Sequence, residues 1–568
     1  MNIKIDTTGH SDQKEIDTAV ATVKEKAREF ARLPVRNKAA LLRECIPLLV
    51  KTAPIWVAEG CKAKRITMDQ AGEEWLAGPM VTVRSMRLLA ESLDAIATHG
   101  KPSLGTGSRL RSDGRLAIDL FPITLIDRID FLGFRGQVLM AQGIDREDAR
   151  RRQAAFYERR DPEGAVSLVL GAGNVSSIPP MDAFAKMFND GNVCVLKINP
   201  VNEWVGPILE RVLDPMIQRG YLRIIYGSGD VGKYLCEHPH IDNIHITGSD
   251  HTHNLIVWGP EGPERDRRMA EDNPLLKKSI TSELGNVSPV AIVPYAYSEN
   301  ELAFQAQNIV STVVNNASFN CNAAKILITA KGWPQRNQFL DLIRQHLAAA
   351  PTRKAYYPGA HERYAKLTGA RDNVETFGDG SGDKLPWTLV PDVDSCNDGE
   401  PLFQVEPFCA ILSETQVGSN DPQEFLNAAT SFMNDRLWGT LNAMLVIHPT
   451  LEKDPAVAKA LDRAIVDLRY GTVAINHWPA VSFALTPMPW GGHPSATIKN
   501  IQSGLGWVHN TLMLAEVEKS VLRGPLVVRP KPIWFHDKHK GPIFGPKVVK
   551  MEARPSLLKV PGVILSAL

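Results

Sequence analysis

Two residues stand where covalent chemistry would need them. Cys321 lies in the polar, Asn-rich run Asn315-Asn316-Ala317-Ser318-Phe319-Asn320-Cys321, which reads as a loop before a helix start. A helix N-terminus lowers a thiol pKa toward a reactive thiolate. Glu283, in Thr281-Ser282-Glu283-Leu284-Gly285, sits at an expected strand start beside a glycine, where a carboxylate could face a cleft and act as a base on water. A cysteine nucleophile with a positioned carboxylate is the minimum for an acyl enzyme that is then hydrolysed. A third feature is Gly227-Ser228-Gly229-Asp230-Val231-Gly232, directly after the apolar run YLRIIY. Glycines at this spacing, between a strand and a helix, let backbone N–H groups approach a pyrophosphate.

The elements that must hold these residues follow from periodicity. From about residue 12 to 97 apolar positions recur every three or four residues, as in KEIDTAVATVKEKAREFARL, which predicts amphipathic helices. The segment about 100–155 is an insertion whose 115–145 part reads as β-rich, and it ends in the basic run DREDARRR, a solvated helix face of mixed charge. After Gly164 short apolar strands alternate with helices: AVSLVLGAG, NVCVLKIN, YLRIIYGSG and NIHITGS are strands with helical crossovers between them. That is the pattern of a parallel, nucleotide-binding sheet. A second α/β stretch begins near SELGNVSPVAIVP and runs to about 485. The expected division is therefore 1–281 (helices and nucleotide-binding unit), 282–485 (unit carrying the cysteine) and 486–568 (a return segment and extension for surface packing or oligomerisation).

Eight motifs in order resemble the aldehyde dehydrogenase superfamily: GNVSSIP at 173–179, DGNVCVLK ending at Lys197, HPHIDNIHITGS ending at Ser249, SELGNVSP around Glu283, NNASFNC ending at Cys321, EPFCAIL from Glu406, GTVAIN ending at Asn476, and PWGG at 489–492. The resemblance implies an α/β fold with a Rossmann-like nucleotide-binding domain, an α/β catalytic domain and a small β oligomerisation arm, for which the 115–145 stretch is the candidate. It implies Cys321 as nucleophile toward an aldehyde carbonyl, Asn174 with the Cys321 N–H as oxyanion hole, and Glu283 as the base that hydrolyses the thioester left after hydride transfer. Lys197 and Glu406 would hold cofactor ribose hydroxyls, Gly229, Gly232 and Ser249 would lie near the pyrophosphate, and Phe408 near the nicotinamide. NAD or NADP is the implied cofactor, a small aldehyde the partner, and a homodimer or homotetramer the assembly.

The sequence also departs from that pattern. Gly173 stands where a Trp is usual, Ser318-Phe319-Asn320 replaces the Gly-Gln before the nucleophile, and Asn286 and Ile246 replace a Gly and a Phe. Pro200 occupies the position where a Glu often meets the adenosine 2′-hydroxyl, so no carboxylate there repels a 2′-phosphate. With water as acyl acceptor the product is a carboxylic acid; a CoA-acylating reductase and an inactive scaffold are the rivals, and Glu283, a hydrolytic base, weighs against the first, the Cys321, Asn174 and Glu283 set against the second. No basic cluster near the motifs points to a charged substrate.

Composition narrows the remaining classes. With 64 Lys+Arg against 63 Asp+Glu in 568 residues, no global field draws nucleic acid or an anionic membrane. Seven cysteines without CxxC or zinc spacing argue against a disulfide scaffold, and His536 and His539 in WFHDKHK, like His251 and His253, read as surface residues and not as a metal site. The first residues lack the apolar run of a secretory signal, so a cytoplasmic protein is expected.

Overall fold

Asp12 starts the first helix, Gln13–Arg32, by accepting the Glu15 N–H while Glu15 returns a bond to the Asp12 backbone, satisfying two orphan donors reciprocally. Its buried stripe of Ile16, Val20, Val23, Ala27 and Phe30 keeps the expected spacing. Helices Val35–Lys64 and Val81–His99 follow and pack against one another; the first ends on left-handed Arg65, the second on Gly100. The computed structural model describes residues 10–567. The first nine residues, on which the expectation about a secretory signal bears, lie outside the described residues.

Behind these helices a five-stranded sheet runs wholly parallel in the order Leu222–Ile225, Val193–Lys197, Val166–Leu170, Asn243–Gly248, Ser279–Leu284. Strands buried on both faces must be apolar throughout, which is why VSLVL and VCVLK do not alternate. Four of these strands match the sequence expectation. The fifth carries Glu283, so the expected division at 281/282 falls inside a strand that pairs with 243–248 along its whole length. Glu283 stands at the end of that strand, not at its start. All five strands point their C-terminal ends at one cleft, where open α/β sheets bind ligands.

A second sheet has eleven strands. Its parallel centre runs Val517–Arg523, Thr472–Ile475, Asn442–Val446, Pro289–Ile292, Ile326–Ala330, Ile411–Val417, Trp387–Val390. The β-rich insertion supplies Gly107–Leu110, Leu116–Phe121 and Arg135–Met140; Arg135–Met140 pairs antiparallel with Val517–Arg523, that strand pairs with Thr472–Ile475 of the same chain, and Gly107–Leu110 is the edge strand of the sheet. The 486–568 segment likewise contributes a central strand, with Val521 and Leu522 buried, besides its surface portions.

The extra segments are tied down by one buried cation. Arg84, on helix Val81–His99, donates to Asp127 of helix Leu125–Asp130 at 3.0 Å and to Glu552 of helix Gly541–Ala553 at 2.8 Å. All three side chains are nearly dry. Helix Gly541–Ala553 lies close on the N-terminal helices because Gly541 and Gly545 have no side chain: a Cβ on Gly545 would meet the Trp75 ring at 2.1 Å.

Candidate active site

Cys321 reaches the cleft by an unusual turn. After helix Glu299–Val314 the backbone passes through three consecutive left-handed residues, Asn316, Ala317 and Ser318 (φ 52°, 54° and 69°). Non-glycine residues adopt that region at a cost, and runs of them mark places where the surrounding structure holds the chain. Here the holding groups are explicit. The Asn316 N–H donates to Glu73 Oε2 at 3.0 Å, and its side-chain amide donates to the carbonyls of Asn174 and Phe319 at 3.0 and 3.1 Å. Beyond Cys321 the chain enters strand Ile326–Ala330. No helix begins at the cysteine, so the expected dipole that would lower its pKa is absent.

The thiol is accordingly shifted the other way. Burial pushes its pKa well above the ordinary value, and the carboxylates of Glu283 and Glu406 push it further, against the opposing pull of Lys325. The Lys325 ammonium is itself buried; it donates to the carbonyls of Ser318 and Asn320 at 3.1 and 3.2 Å and lies 5.7 Å from the Phe408 ring centre. The loop carrying the nucleophile is thus wrapped around a cation.

Glu283 acts on the Cys321 thiol at close range, and its Oε1 accepts a 2.9 Å bond from the buried indole of Trp490. Burial raises its carboxyl to about 7, with Trp490 and Cys321 opposing and the Asp182 charge reinforcing. A carboxyl poised there can take and give protons at neutral pH.

Asn174 follows strand Val166–Leu170, and its carbonyl is gripped by donors from three separate segments: Asn316 at 3.0 Å, the Tyr356 hydroxyl at 3.2 Å and Lys64 at 3.4 Å. Its side-chain amide donates to the Phe319 carbonyl at 2.9 Å, which engages one of its two N–H groups and locks it to the cysteine loop.

All nine residues singled out in the sequence line one cavity of about 1260 Å³: Asn174, Glu283 and Cys321 at its floor, with Lys197, Gly229, Gly232, Ser249, Glu406 and Phe408 along its length. Gly229 and Gly232 begin helix Gly229–Glu237 beside open space; a Cβ at Gly229 would touch nothing within 4 Å. Ser249 caps helix Asp250–Trp258 by accepting the Thr252 N–H. Lys197 ends its strand, nearly buried, with its pKa lowered by desolvation. Glu406 is half-buried, with Oε1 enclosed and lacking a partner, and desolvation raises its carboxyl to about 8. Phe408 stands at a left-handed backbone position beside Phe319 and Tyr357.

Sequence reasoning gave no role to Trp490, Lys325, Asn316, Tyr356 or Arg363. PWGG flagged the neighbourhood of Trp490, but nothing local shows that its indole reaches Glu283. Arg363 lines the cavity, and its guanidinium is committed to the carbonyls of Pro358, Pro407 and Phe408. The tail histidines lie elsewhere: His536 faces His346 at 3.2 Å, and His539 is exposed near Asp69.

The aldehyde dehydrogenase family model matches residues 125–356, the stretch from the insertion through Cys321. Solved structures of the same fold span nearly the whole chain. The NADP-dependent glyceraldehyde-3-phosphate dehydrogenase from Bacillus halodurans C-125, complexed with NADP, is 18% identical over 90% of this chain and 92% of its own, with a TM-score of 0.59. An aldehyde dehydrogenase from Mycobacterium tuberculosis complexed with NAD+ is 17% identical over 92% of each chain, with a TM-score of 0.58. Lactaldehyde dehydrogenase from Escherichia coli is 16% identical over 90% of this chain and 92% of its own, TM-score 0.59. At such identity the likeness is one of fold.

Proposed function

We propose that this protein is a nicotinamide-dependent aldehyde dehydrogenase that converts a small aldehyde to a carboxylic acid. The observation that carries the reading is that Cys321 and Glu283 line the same cavity as Asn174, Lys197, Gly229, Ser249 and Glu406. The cavity walls fit a dinucleotide: open space beside Gly229, two helix N-termini at Gly229–Glu237 and Asp250–Trp258, and an unpartnered buried carboxylate oxygen on Glu406. Lys197 and Glu406 would hold ribose hydroxyls, and Pro200, on the cavity wall, offers no carboxylate against a 2′-phosphate, so either NAD or NADP is accommodated. When bound, the nicotinamide accepts the aldehyde hydrogen with its electron pair.

The chain's own residues supply the rest. Glu283 takes the thiol proton of Cys321 as the sulfur forms a bond to the carbonyl carbon. The carbonyl oxygen becomes an oxyanion, held by the remaining Asn174 amide N–H and the Cys321 backbone N–H; one such donor is worth about 3–4 kcal/mol in the transition state. After oxidation the acyl group is a thioester on Cys321. Glu283 then accepts a proton from water, the water oxygen bonds to the acyl carbon, and the C–S bond breaks to return the thiolate. The raised Glu283 pKa suits it to hold each proton only transiently.

The test is a panel of aliphatic and aromatic aldehydes with NAD or NADP, with and without CoA, followed by absorbance of the reduced nicotinamide. Reduction without CoA that disappears in Cys321→Ala is expected. Reduction that requires CoA would reassign the acyl acceptor, and a silent panel would leave the fold without this activity.

A further inference from the structure

The chain's near-neutral balance conceals a local excess. Between residues 525 and 567 there are eight Lys and Arg against two acids, and one of those acids, Glu552, is buried against Arg84 and Arg87. Lys540, Lys547, Lys550 and Arg554 are exposed on or beside helix Gly541–Ala553. Charge acts over about a Debye length, ~8–10 Å, so a local patch of one sign matters even where the whole chain is balanced.

The same segment exposes apolar surface. The turn Leu557–Lys559 and helix Val560–Ala567 turn Val560 and Val563 inward, onto Phe544 and Met551. The opposite side is apolar too: Leu558 is 92% and Leu565 70% exposed, seven positions apart and so on one helical face, with Leu557 and Ile564 also exposed. Helix Leu125–Asp130 packs beside helix Val560–Ala567 and adds exposed Leu125 and Ile129, along with the acid Asp130. A helix that is apolar on both sides requires a second apolar partner, and clustered exposed leucines are unlike the scattered ones normal on a protein surface.

We propose that this patch seats the protein peripherally on an anionic lipid bilayer, with Leu557, Leu558, Ile564 and Leu565 entering the headgroup boundary and the surrounding lysines meeting anionic headgroups. Leucine beside lysine is the composition of interfacial helices, in which apolar insertion and charge attraction add. A second copy of the chain fits less well, because a two-fold contact through this face would set the cationic patches against one another. No helix among the described residues is long and apolar enough to cross a membrane, so the contact is with one surface.

The experiment is co-sedimentation of the full chain with phosphatidylcholine vesicles, with and without phosphatidylglycerol. Binding is expected only with the anionic lipid, and it should be lost at ~1 M salt, where the Debye length falls to ~3 Å. The paired variant Leu558→Ser/Leu565→Ser should lower partitioning about a hundredfold, since each buried leucine is worth about a factor of ten. Lys550→Glu/Arg554→Glu, at two exposed cations that form no ion pair among the described residues, should lower it about tenfold at low salt and little at high salt. Both variants change exposed side chains and should keep the wild-type melting temperature. Equal binding to neutral vesicles, no binding to anionic ones, or partitioning unmoved by either variant would overturn the proposal. A dimer that the leucine variant converts to monomer would give the patch to a second copy instead.

Discussion

The indole Nε1 of Trp490 donates a 2.9 Å hydrogen bond to Oε1 of Glu283, although the two residues come from different sheets' neighbourhoods and lie 207 positions apart in the chain. This bond stabilises the ionised carboxylate against the burial that drives its pKa up. Trp490→Phe keeps the ring and removes the donor. A hydrogen bond to a charged group is worth about 1.5–3 kcal/mol, so the apparent pKa of the hydrolytic step should rise by about one unit or more, with little change in the plateau rate at high pH. A pH–rate profile that does not move would separate Trp490 from the base.

Glu283 itself links activity and stability. With a folded pKa near 7 against an ordinary value of 4.5, the native state holds this proton more tightly than the unfolded chain does. The ionised form therefore costs native stability, and the cost grows as pH rises from about 4.5 to 7 and is constant above. Glu283→Gln should remove a cost on the order of 3 kcal/mol at pH 8 and nothing at pH 4, read as a melting temperature higher than wild type only on the alkaline side. Because Glu283 serves both steps, the same variant should form the thioester slowly and then stall, giving a slow release of no more than one equivalent of reduced nicotinamide. Full steady-state turnover would sink the assignment of the base.

Gly285 is the neighbour that lets Glu406 sit where it does. A Cβ at this position would come within 1.9 Å of Glu406 Oε2. Gly285→Ala should displace that carboxylate and weaken dinucleotide binding about tenfold, while iodoacetamide alkylates Cys321 no more slowly than in the wild type, since the Glu406 charge that raises the thiol pKa has moved away. Unaltered nicotinamide affinity would remove Glu406 from the cofactor site.

Arg84 joins the N-terminal helices to the insertion and to the C-terminal helix. Leaving Asp127 and Glu552 buried without it should cost about 3–5 kcal/mol, so Arg84→Met should lower the denaturation midpoint sharply. A midpoint within the error of wild type would mean that these segments are held by apolar packing alone.

Local pattern was enough for much of this molecule. The three-and-four spacing of Ile16, Val20, Val23 and Phe30 dictates a helix, and the apolar runs of 166–170 and 193–197 dictate doubly covered parallel strands, because each periodicity follows from backbone geometry within a few residues. The motifs likewise marked nine residues that the fold gathers around one cavity. What local pattern does not carry is anything set by distant neighbours. The thiol of Cys321 was expected to be acidified by a following helix, but its pKa is raised, because burial and two carboxylates from other strands and loops decide it. The insertion reads as β-rich, but which strand it joins is decided far away: Arg135–Met140 pairs with Val517–Arg523, a segment nearly four hundred residues distant. Sequence determined the elements and the chemical cast. Tertiary structure alone decided the protonation of the pair at Cys321 and Glu283 and the grip of Trp490 and Lys325 on them, because solvation and Coulomb interaction depend on distance in space and not along the chain.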